Sequence, residues 1–397
     1  MLILFLNKWY PNLDNPNSAI FIRKHAKAVS LFANVISFHI APSKKIKKLF
    51  KIDNFLDENI DTIIIYYKKT HPIFDVFFYL ISILIGIFIL SKNYKKIDLI
   101  QVNITSSFML FIALYFKFFK KIKFIILEHS TFYPRIVNKI DKLDIIKKIL
   151  LLFIKWFSLF SEGIICVSES LKNAMQKIGF KNKFYIIPNV VFEENENIKI
   201  NNYNSIKFKY EIKIISVSNL IDKTKNISNL LNGFKIFLNT YKEEFKNNKI
   251  ILDIYGDGKD KEKLIKLANE LDLLNKNVFF KGAIDNKKLK ELMPSYDFFV
   301  MFSKVETFSV ATLEAMLCGL PVIATKSGGP EEYLKPQYGI LIDNNNIDQL
   351  VNAFYFMCKN YQNFDRKRIS DFVKENYSYK NISSQFKKLY ESILTRK

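Results

Sequence analysis

The stretch DFFVMFSKVETFSVATLEAMLCGLPVIATKSGG, residues 297–329, predicts a strand, a helix and a second strand in direct succession. The first apolar run ends at Ser303, and the helix ends at Gly319. Two acids interrupt the apolar residues: Glu306 falls in the turn between strand and helix, and Glu314 falls about a turn and a half into the helix. Because a buried carboxylate without a partner is costly, each acid should either reach solvent or hold a ligand.

Short β-branched runs alternate with helical stretches along the whole chain. The runs are LILFL, NVISFHI, TIIIYY, LIQVNIT, KFIILEH and GIICVS, then IKIISVSNL, KIILDIYGDG, NVFFKG, DFFVMFS, PVIATKSGG and GILID. Amphipathic or apolar helices such as residues 19–31 and 107–119 separate them. The alternation predicts an α/β fold with two Rossmann-like, doubly wound parallel sheets. Ligands of such sheets bind at the carboxyl ends of the strands, so we expect the site in a cleft between the two domains.

A polar segment divides the two series of strands. FEENENIKINNYNSIKFKYE, residues 192–211, is rich in Asn and Glu, and the linker is expected near its start. This places an N-terminal domain, which would bind the acceptor, at residues 1–190, and a second domain, which would bind the donor, at residues 191–377. The final stretch, residues 378–397, has helical spacing and should pack back on the first domain. Its apolar positions are Ile382, Phe386, Tyr390 and Ile393.

The chain is strongly basic. Of its 397 residues, 60 are Lys or Arg and 38 are Asp or Glu, which gives a formal net charge of +22. A nucleic acid, an anionic membrane leaflet or a phosphorylated substrate would complement this surplus, and a general compositional drift towards Lys would also produce it. Cys166, Cys318 and Cys358 lie far apart, which indicates neither a zinc knuckle nor a disulfide framework and favours a reducing cytoplasm. The opening MLILFLNKWYP predicts the first strand rather than a signal peptide.

The most apolar segment is VFFYLISILIGIFIL, residues 76–90. Its fifteen residues fall short of the roughly 20 that span a bilayer. The segment therefore predicts a buried or membrane-skimming helix rather than a span.

The residues around the two acids resemble a known family pattern. The Glu-x7-Glu signature of the retaining family 4 glycosyltransferases, which belong to glycosyl transferases group 1 and have the GT-B fold, continues with a fixed set of spaced residues. This chain matches that set at Glu314, Ala315, Met316, Cys318, Gly319, Pro321, Val322, Ile323, Thr325, Gly328, Gly329 and Glu332. The resemblance covers nearly the whole chain and implies an enzyme that uses a nucleotide diphosphate sugar.

The resemblance gives a role in donor binding to the turn and helix that contain Glu306 and Glu314. Glu306 would hold the donor sugar, Glu314 would hold the ribose diol, and the backbone from Thr307 through Phe308 and Ser309 would bind phosphate at the helix start. The family often has Gly where this chain has Ser309, so phosphate approach is expected to differ. The alternative is that Glu306 is an acid favoured by the helix dipole and Glu314 is a solvated helix residue.

Three further segments resemble donor-binding elements. ISVSNLIDKTKN places Lys225 at the family's phosphate-binding lysine, while Asn219 replaces the usual arginine. YGDG places Gly256 in a turn after a strand, and FKGA places Gly282 and Ala283 where the family meets the nucleobase. The lysine could instead be a solvated loop charge, and the glycines could be plain turn formers.

Two segments of the first half also resemble the family. KFIILEH places His129 at the histidine that approaches the donor sugar, although a histidine there could also be structural. The segment WYPNLDNPNSAIF resembles the family's N-terminal loop and places Ser18 and Ala19 near phosphate or acceptor. Ala19 stands where the family has Gly, so we expect its backbone to approach phosphate or acceptor less closely.

The implied reaction transfers a sugar to a glycan or lipid-linked glycan with retention at the anomeric carbon, as in cell-surface polysaccharide, lipopolysaccharide or glycoprotein glycan biosynthesis. The implied catalytic residues are Glu306, His129 and Lys225. No cofactor is expected, and no divalent metal, because Lys225 and the helix amides would neutralise the leaving diphosphate. The expected partners are the nucleotide sugar, the acceptor and the anionic inner leaflet, with the protein cytoplasmic and peripheral on that membrane.

Two rival functions remain open on the sequence. A nucleotide-sugar epimerase of the same fold would release nucleotide without a transfer product. A basic nucleic-acid-binding protein would cluster its cations with stacking aromatic residues, whereas the lysines here are spread along the chain.

Overall fold

A computed structural model describes residues 1–16, 18–105, 107–137, 144–194, 196, 198, 200 and 210–396. Within it the chain forms two compact units. The first unit comprises Met1–Val190 together with Tyr379–Lys397, and the second comprises Val191–Ser378. The polar segment 192–211, where the linker is predicted, lies largely outside the described residues.

The first unit is built on an eight-stranded sheet. Its strands are β1 (Leu2–Asn7), β2 (Asn34–Ser43), β3 (Phe50–Asp57), β4 (Ile60–Lys68), β5 (Leu99–Asn103), β6 (Lys123–Glu128), β7 (Ile164–Cys166) and β8 (Phe184–Ile186). Their order across the sheet is β3-β4-β2-β1-β5-β6-β7-β8. All neighbouring pairs are parallel except β3 and β4, which form an antiparallel hairpin.

Helices of the first unit follow or flank these strands. They are α1 (Ile20–Ser30), α2 (Pro72–Asn93), α3 (Ser107–Lys120), α4 (Phe132–Ile136), α5 (Ile145–Ser158), α6 (Glu169–Lys177) and the C-terminal helix, α15 (Tyr379–Thr395). The apolar side chains of α15 are buried in the same core as strands β1 and β6, and the helix packs against α1. The hydroxyl of Tyr390 on α15 donates a hydrogen bond to Oε1 of Gln101 on β5. The last helix is therefore an integral part of the first unit.

Helix α2 is longer and more exposed than its sequence suggested. It runs over 22 residues because Pro72 starts it before the apolar run and a polar turn extends it to Asn93. By length and composition it could cross a membrane, with a mean hydropathy of 2.7, a property that core helices of soluble proteins share. One face packs on the sheet through Gly86, whose missing side chain admits the ring of Phe38. Only 22% of its most apolar window is buried, so of the two predicted alternatives, a buried or a membrane-skimming helix, the buried one is wrong.

The second unit is built on a six-stranded, fully parallel sheet. Its strands are β9 (Glu211–Val217), β10 (Lys249–Tyr255), β11 (Val278–Gly282), β12 (Phe298–Met301), β13 (Val322–Thr325) and β14 (Gly339–Ile342), in the order β11-β10-β9-β12-β13-β14. Its helices are α7 (Asp222–Lys225), α8 (Ile227–Thr240), α9 (Lys261–Glu270), α10 (Asn286–Leu292), α11 (Val310–Leu317), α12 (Pro330–Tyr333), α13 (Ile347–Asn360) and α14 (Arg366–Tyr377). Single 3₁₀ turns lie at Met293–Ser295 and Tyr361–Asn363.

The predicted fold class is confirmed, since both units are Rossmann-like α/β sheets with helices along their strands. The sheet of the first unit differs from the prediction at one edge, where the β3–β4 hairpin is antiparallel. Its two turn residues, Glu58 and Asn59, both have positive φ angles, of 49° and 67°. Such a pair is the geometry of a two-residue hairpin turn.

Candidate functional site

The carboxyl ends of the strands in the second unit surround a cavity of about 530 Å³. Its walls come from the segments after β9, β10, β11 and β12 and from the first turn of α11. Its lining includes Val217, Ser218, Asn219, Lys225, Tyr255, Gly256, Asp257, Ala283, Ile284, Leu289, Met301, Glu306, Ser309, Val310 and Ala311. Six residues that the sequence singled out therefore meet around one space: Asn219, Lys225, Gly256, Ala283, Glu306 and Ser309.

Glu306 and Lys225 form an ion pair in this cavity. Nζ of Lys225 lies 2.6 Å from Oε1 of Glu306, and the two side chains are only 18% and 8% exposed. Taking two charges out of water is costly, so the pair holds only because each charge has its partner at hydrogen-bond distance. Glu306 therefore has a charged side-chain partner in addition to its position before a helix start.

The backbone fixes both partners of this pair. The amide of Glu306 donates to the carbonyl of Ser327 over 2.9 Å, which ties the loop after β12 to the loop after β13. Lys225 is the last residue of α7, and the amide of Lys304 donates to the carbonyl of Thr224 over 2.8 Å. The ion pair is thus held by two anchored loops rather than by two flexible side chains on open surface.

Helix α11 begins later than expected, and its first turn lines the cavity. The sequence placed the helix start at Thr307 to Ser309, but the helix begins at Val310 with Ser309 at its N-cap. Ser309 has φ 65° and ψ 70°, a left-handed conformation that ends the preceding loop. The first N–H groups of a helix lack intrahelical partners, so the amides from Val310 onwards are the ones that can meet an anion.

Ser309 adopts a backbone conformation that suits glycine, which explains the family's preference there. An L-residue in this region costs roughly 1–2 kcal/mol. The surroundings of Ser309 compensate: its hydroxyl lies 2.7 Å from Oγ1 of Thr312 and donates to the sulfur of Met301 over 3.0 Å. The hydroxyl of Tyr333 also donates to the Ser309 carbonyl over 3.2 Å. Ala19, the other residue that stands where the family has glycine, also has a left-handed backbone conformation, with φ 49°.

Glu314 lies behind the helix start rather than on the cavity wall. It is the fifth residue of α11, and it is buried. Its Oε1 accepts a hydrogen bond from Nδ2 of Asn286, the first residue of α10, over 2.9 Å. The alternative that Glu314 is a solvated helix residue is therefore wrong.

The two predicted glycines behave differently. Gly256 has φ 132°, and a Cβ there would lie 1.8 Å from the carbonyl oxygen of Ser218, so no other residue fits. Its amide donates to the carbonyl of Gly282 over 2.8 Å. Gly282 has φ 75°, but a Cβ there would meet nothing within 4 Å. Gly256 brings backbone against backbone at the cavity wall, whereas Gly282 only supplies a turn beside it.

Phe308 and Thr307 do not line the cavity. The ring of Phe308 is buried, with its centroid 5.6 Å from that of Tyr377 and 6.0 Å from that of Tyr333. A Cβ on Gly329 would lie 2.4 Å from Cα of Phe308, so these two loops approach closely. Phe308 thus braces the loop that carries Glu306, and its side chain is unavailable to a ligand.

Comparison with known proteins identifies the chain. The family described as Glycosyl transferases group 1 matches residues 199–376, and the family described as Glycosyltransferase Family 4 matches residues 51–194. The chain belongs to the family 4, group 1 glycosyltransferases.

Individual relatives agree with this assignment. The uncharacterized glycosyltransferase MJ1069 of Methanocaldococcus jannaschii is 26% identical over 317 residues, which cover 78% of this chain and 72% of that protein. Sucrose-phosphate synthase from Thermosynechococcus elongatus superposes with a TM-score of 0.74 at 16% identity, over 99% of each chain. Anabaena HepE in complex with UDP and glucose gives a TM-score of 0.71 at 17% identity, over 98% of this chain and 99% of HepE. The structural likeness shows that the fold is GT-B.

In this glycosyltransferase, His129 lies in the first unit at the end of β6. Its ring centroid is 4.4 Å from that of Phe21 and 5.3 Å from that of His25. Burial, and secondarily the neighbouring His25, hold the pKa of His129 well below its usual value. Its imidazole is therefore neutral at neutral pH. It can form hydrogen bonds at this position, but it does not supply a positive charge.

Sequence reasoning missed Glu128, which organises the same edge of the sheet. This carboxylate is fully buried and accepts hydrogen bonds from the amides of Thr105, His129 and Ser130 over 3.0, 2.9 and 2.8 Å. Burial raises its pKa, and the hydrogen bonds offset part of that rise. The sequence contained a signal for Glu128, because this acid comes at the end of the apolar run KFIIL, much as Glu306 follows the apolar run DFFVMFS.

The two remaining predicted residues lie at the start of α1. Ser18 lines a separate cavity of about 460 Å³ in the first unit, and Ala19 is the N-cap of α1.

Cys166, Cys318 and Cys358 are all buried free thiols. Within the described ranges, no group of three or more His, Cys, Asp or Glu residues is arranged to hold a metal ion.

Proposed function

We propose that this glycosyltransferase transfers a sugar from a nucleoside diphosphate sugar to a hydroxyl of a glycan or lipid-linked glycan, with retention of the anomeric configuration. The observation that carries the proposal is the cavity in which Lys225, Glu306 and the first turn of α11 meet. A donor has two charged phosphates between two sets of hydroxyls, and the cavity offers a cation, helix amides and a carboxylate. Anabaena HepE, which shares the fold, was solved with UDP and glucose.

The diphosphate would bind at the start of α11 and at Lys225. The first amides of α11, at Val310 and Ala311, and the ammonium of Lys225 both favour negative charge. Asn219, which stands where the family has arginine, lines the same wall and can donate from its amide without adding charge. Lys225 is therefore the main protein cation for the leaving group, and a divalent metal is not needed to neutralise it.

Glu306 would stabilise positive charge that grows on the donor sugar. Among the described residues its ion pair uses Oε1, which leaves the carboxylate able to accept from a sugar hydroxyl through Oε2. When the diphosphate draws the Lys225 ammonium towards itself, the negative charge of Glu306 becomes available to the anomeric centre. The pair thus couples donor binding to activation of the sugar.

The reaction proceeds on one face of the sugar. The bond between the anomeric carbon and the β-phosphate oxygen breaks, and its electron pair stays on that oxygen. The acceptor hydroxyl oxygen forms the new bond from the same face, and its proton passes to the departing phosphate oxygen. The products are a glycoside of unchanged anomeric configuration and a nucleoside diphosphate. No carboxylate partner close enough for a covalent intermediate is needed on this route.

The acceptor is proposed to be lipid-linked, with the enzyme bound to the anionic inner leaflet of the cell membrane. Exposed apolar side chains of α2, α3 and α5 form a surface that we call the apolar face: Ile73, Phe74, Val76, Phe77, Leu80, Leu84, Phe88, Phe111, Phe118, Phe119, Ile145, Ile146, Ile149, Leu150, Leu152, Phe153 and Trp156. Tilted and edge-to-face ring contacts connect its helices, from Tyr79 to Phe108 with centroids 5.3 Å apart, and from Phe111 to Phe157 with centroids 5.5 Å apart.

Lysines at the ends of the same helices give the apolar face the charge that an anionic leaflet would complement. They are Lys92, Lys95, Lys96, Lys120, Lys121 and Lys147, all exposed. An apolar surface of this extent with basic flanks is typical of a protein that lies in a membrane interface.

Donor use and stereochemistry are tested together. Thermal unfolding is measured with UDP, GDP, ADP and CMP, then with sugars of the nucleotide that stabilises the protein, and the product is examined by NMR. We expect stabilisation by one nucleoside diphosphate and a transfer product with the donor's anomeric configuration. An inverted product would overturn the proposed stereochemistry, and an epimerised sugar nucleotide without transfer would replace the proposed reaction.

Membrane binding is tested by sedimentation with phosphatidylglycerol vesicles. Leu152→Ser, on the apolar face, should weaken binding, whereas Leu31→Ser, at the end of α1, should not. The two leucines are both 60% exposed, so the pair compares position and not exposure. Equal binding by the two variants, or no salt-sensitive binding at all, would overturn the membrane proposal.

A further inference from the structure

Strand β3 forms one edge of the eight-stranded sheet of the first unit, and no strand in the described part of the chain lies on its outer side. The strand has eight residues, and its register with β4 is regular over all of them. Edge strands in natural proteins are usually short, bulged, or interrupted by proline or several lysines, which prevents another strand from pairing with them. FKIDNFLD contains no proline and one lysine, so this edge can accept another strand.

Hydrogen bonding between β3 and β4 uses every second residue of β3. The amide of Lys68 donates to the carbonyl of Leu49 over 2.9 Å, and in an antiparallel ladder such bonded pairs alternate with unbonded pairs. The bonded positions therefore continue along the strand at Lys51, Asp53, Phe55 and Asp57. The N–H and C=O groups of the intervening residues point away from β4; these residues are Phe50, Ile52, Asn54 and Leu56. They offer the hydrogen-bonding groups that a further strand needs.

Charge is separated along the hairpin. Five exposed lysines lie before the strand or near its start: Lys44, Lys45, Lys47, Lys48 and Lys51. Two acids lie at its far end, Asp57 in the strand and Glu58 in the turn. Glu58 pairs with Lys27 over 3.0 Å, but its side chain remains 42% exposed. A second copy of this chain that pairs antiparallel places its basic end beside the acidic end of the first, whereas a parallel copy would place like charges together.

A second copy that pairs with β3 about a twofold axis has three registers that keep most of the strand paired, because the outward-pointing residues must meet one another. An axis at Asp53 brings two Asp53 carboxylates face to face, and like charges directly opposite each other are destabilising. An axis at Ile52 places Leu56, which is 69% exposed, opposite Lys48. Neither register matches the side chains of the edge.

An axis at Asn54 matches them. Ile52 of one copy then faces Leu56 of the other, so two exposed apolar side chains cover each other at both ends of the pair. Lys51 faces Asp57 in the same way, which adds two pairs of opposite charge. Cross-strand apolar pairs and opposite-charge pairs both stabilise antiparallel strands. The edge is therefore complementary to itself in this register.

The paired strands would join two sheets into one. The twofold axis of an antiparallel pair of strands is perpendicular to the sheet, so both copies turn the same face of the sheet to the same side. Helix α2 covers the face on which Phe50 lies, because the ring centroid of Phe50 is 5.7 Å from that of Phe78. Both α2 helices of the pair would therefore lie on one side of the joined sheet.

We propose that this protein forms a symmetric dimer in which two copies pair antiparallel through β3, with the twofold axis at Asn54. The interface is isologous, since the same strand serves both copies. The proposal does not rest on sugar transfer, because the β3–β4 hairpin alone carries it. Its consequence for the proposed membrane binding is that the apolar faces of both copies would meet the same leaflet.

Sedimentation equilibrium of the full chain, without nucleotide or lipid, tests the dimer. The weight-average mass should rise with concentration to twice that of the chain. Lys51→Glu places an acid opposite Asp57 at both ends of the pair, so the dissociation constant should rise at least about tenfold. Lys249→Glu, at the start of β10, is the matched control, because the side chains of Lys51 and Lys249 are both 49% exposed and both pair with an acid. It should leave the dissociation constant unchanged.

Mixing two variants tests the register. Asp57→Lys should also weaken the dimer, because it places two lysines opposite each other at both ends of the pair. An equimolar mixture of Lys51→Glu and Asp57→Lys should associate again, since both cross-strand pairs then join opposite charges. Restored association reports the cross-strand contact, because damage to the fold of one variant would persist in the mixture.

Asn54→Cys supplies a test that keeps every charge. It is needed because Asp57 also accepts a hydrogen bond from the hydroxyl of Tyr10 over 3.1 Å, so Asp57→Lys can disturb the fold. At a bonded pair on the axis, the Cα atoms of the two copies are about 5.5 Å apart, which suits a disulfide. Leu56→Cys is the control, because this position is exposed but its two copies would lie about 14 Å apart. On oxidation, Asn54→Cys should give a covalent dimer and Leu56→Cys should not.

Three results would overturn the dimer proposal: a monomer at all concentrations, a dimer that Lys51→Glu weakens no more than Lys249→Glu does, or equal cross-linking of Asn54→Cys and Leu56→Cys. The second result would indicate association through the apolar face. The transferase proposal is judged separately, because nucleotide stabilisation of the second unit does not depend on β3.

Discussion

Nζ of Lys225 and Oε1 of Glu306 lie 2.6 Å apart although 81 residues separate them in the chain. The pair has consequences for activity and for stability that can be measured apart. Glu306→Gln removes the negative charge and keeps the shape, so turnover should fall at least about 100-fold, the usual loss when one group that stabilises a transition state is removed. Binding of the nucleoside diphosphate should persist, because Lys225 keeps its charge. Unchanged turnover would contradict the role given to Glu306.

Lys225→Ala should lower both donor binding and stability. It leaves the Glu306 carboxylate buried without its cation, which costs about 3 kcal/mol in typical cases. The protein should still fold, and the double variant Lys225→Ala/Glu306→Ala should unfold at a higher temperature than Lys225→Ala alone. Thermal unfolding of the three proteins measures this. If the double variant were less stable than the lysine variant, the pair would not be the stabilising unit described here.

Gly256→Ala should abolish nucleotide binding. The new Cβ would lie 1.8 Å from the carbonyl oxygen of Ser218, so the loop on the cavity wall must move. Gly282→Ala is the control, since its Cβ would meet nothing and only the positive φ of 75° is unfavourable. Nucleotide-induced thermal shifts should be lost in the first variant and largely kept in the second. Similar shifts in both would show that the close approach at Gly256 does not shape the site.

Ala19→Gly should stabilise the protein by about 1 kcal/mol, because glycine adopts φ 49° without strain. Ser309→Gly should be closer to neutral, since it also removes the hydroxyl contact with Thr312. Denaturant unfolding compares the two, with Ala28→Gly inside α1 as a control that should destabilise. A destabilised Ala19→Gly variant would show that this conformation is not strained for alanine.

Stability should fall as the pH drops from about 6.5 to about 4. Burial lowers the pKa of both His25 and His39 to about 4, so the unfolded chain binds protons in this range that the folded protein does not. Each of the two can cost about 3 kcal/mol across the range, since one pKa unit corresponds to about 1.4 kcal/mol. Unfolding free energies at stepwise pH measure this. His71→Gln, at an exposed position, should leave the slope unchanged, and a flat profile in the wild type would contradict the buried, neutral histidines.

All the parallel strands of both sheets except β8 could be predicted from sequence because buried strands are continuous apolar runs, whereas the three residues of β8 are only half-buried. All the runs quoted from the sequence, from LILFL to GILID, contain observed strands. Strand β3 was missed because FKIDNFLD has no such run: it is an exposed edge strand held by its hairpin partner. The true length of α2 was missed because an apolar count ignores Pro72 and the polar last turn.

The position of Glu306 at a strand end was also accessible from sequence, as was Lys225 by resemblance. Their mutual ion pair was not, because it joins loops from different strands. The start of α11 at Val310 was missed because Ser309 takes a left-handed conformation that composition does not reveal. Sequence rules for helix starts consider only residue types, whereas this start depends on the contacts that Ser309 makes with Met301, Thr312 and Tyr333.

The most direct measurement is calorimetric titration of the nucleoside diphosphate that stabilises the protein, with its monophosphate as comparison. We predict that Lys225→Ala weakens diphosphate binding at least about tenfold and monophosphate binding less, because the ammonium acts on the second phosphate. Lys242→Ala, at an exposed position outside the cavity, should bind like the wild type. Diphosphate affinity unchanged by the loss of Lys225 would contradict the account.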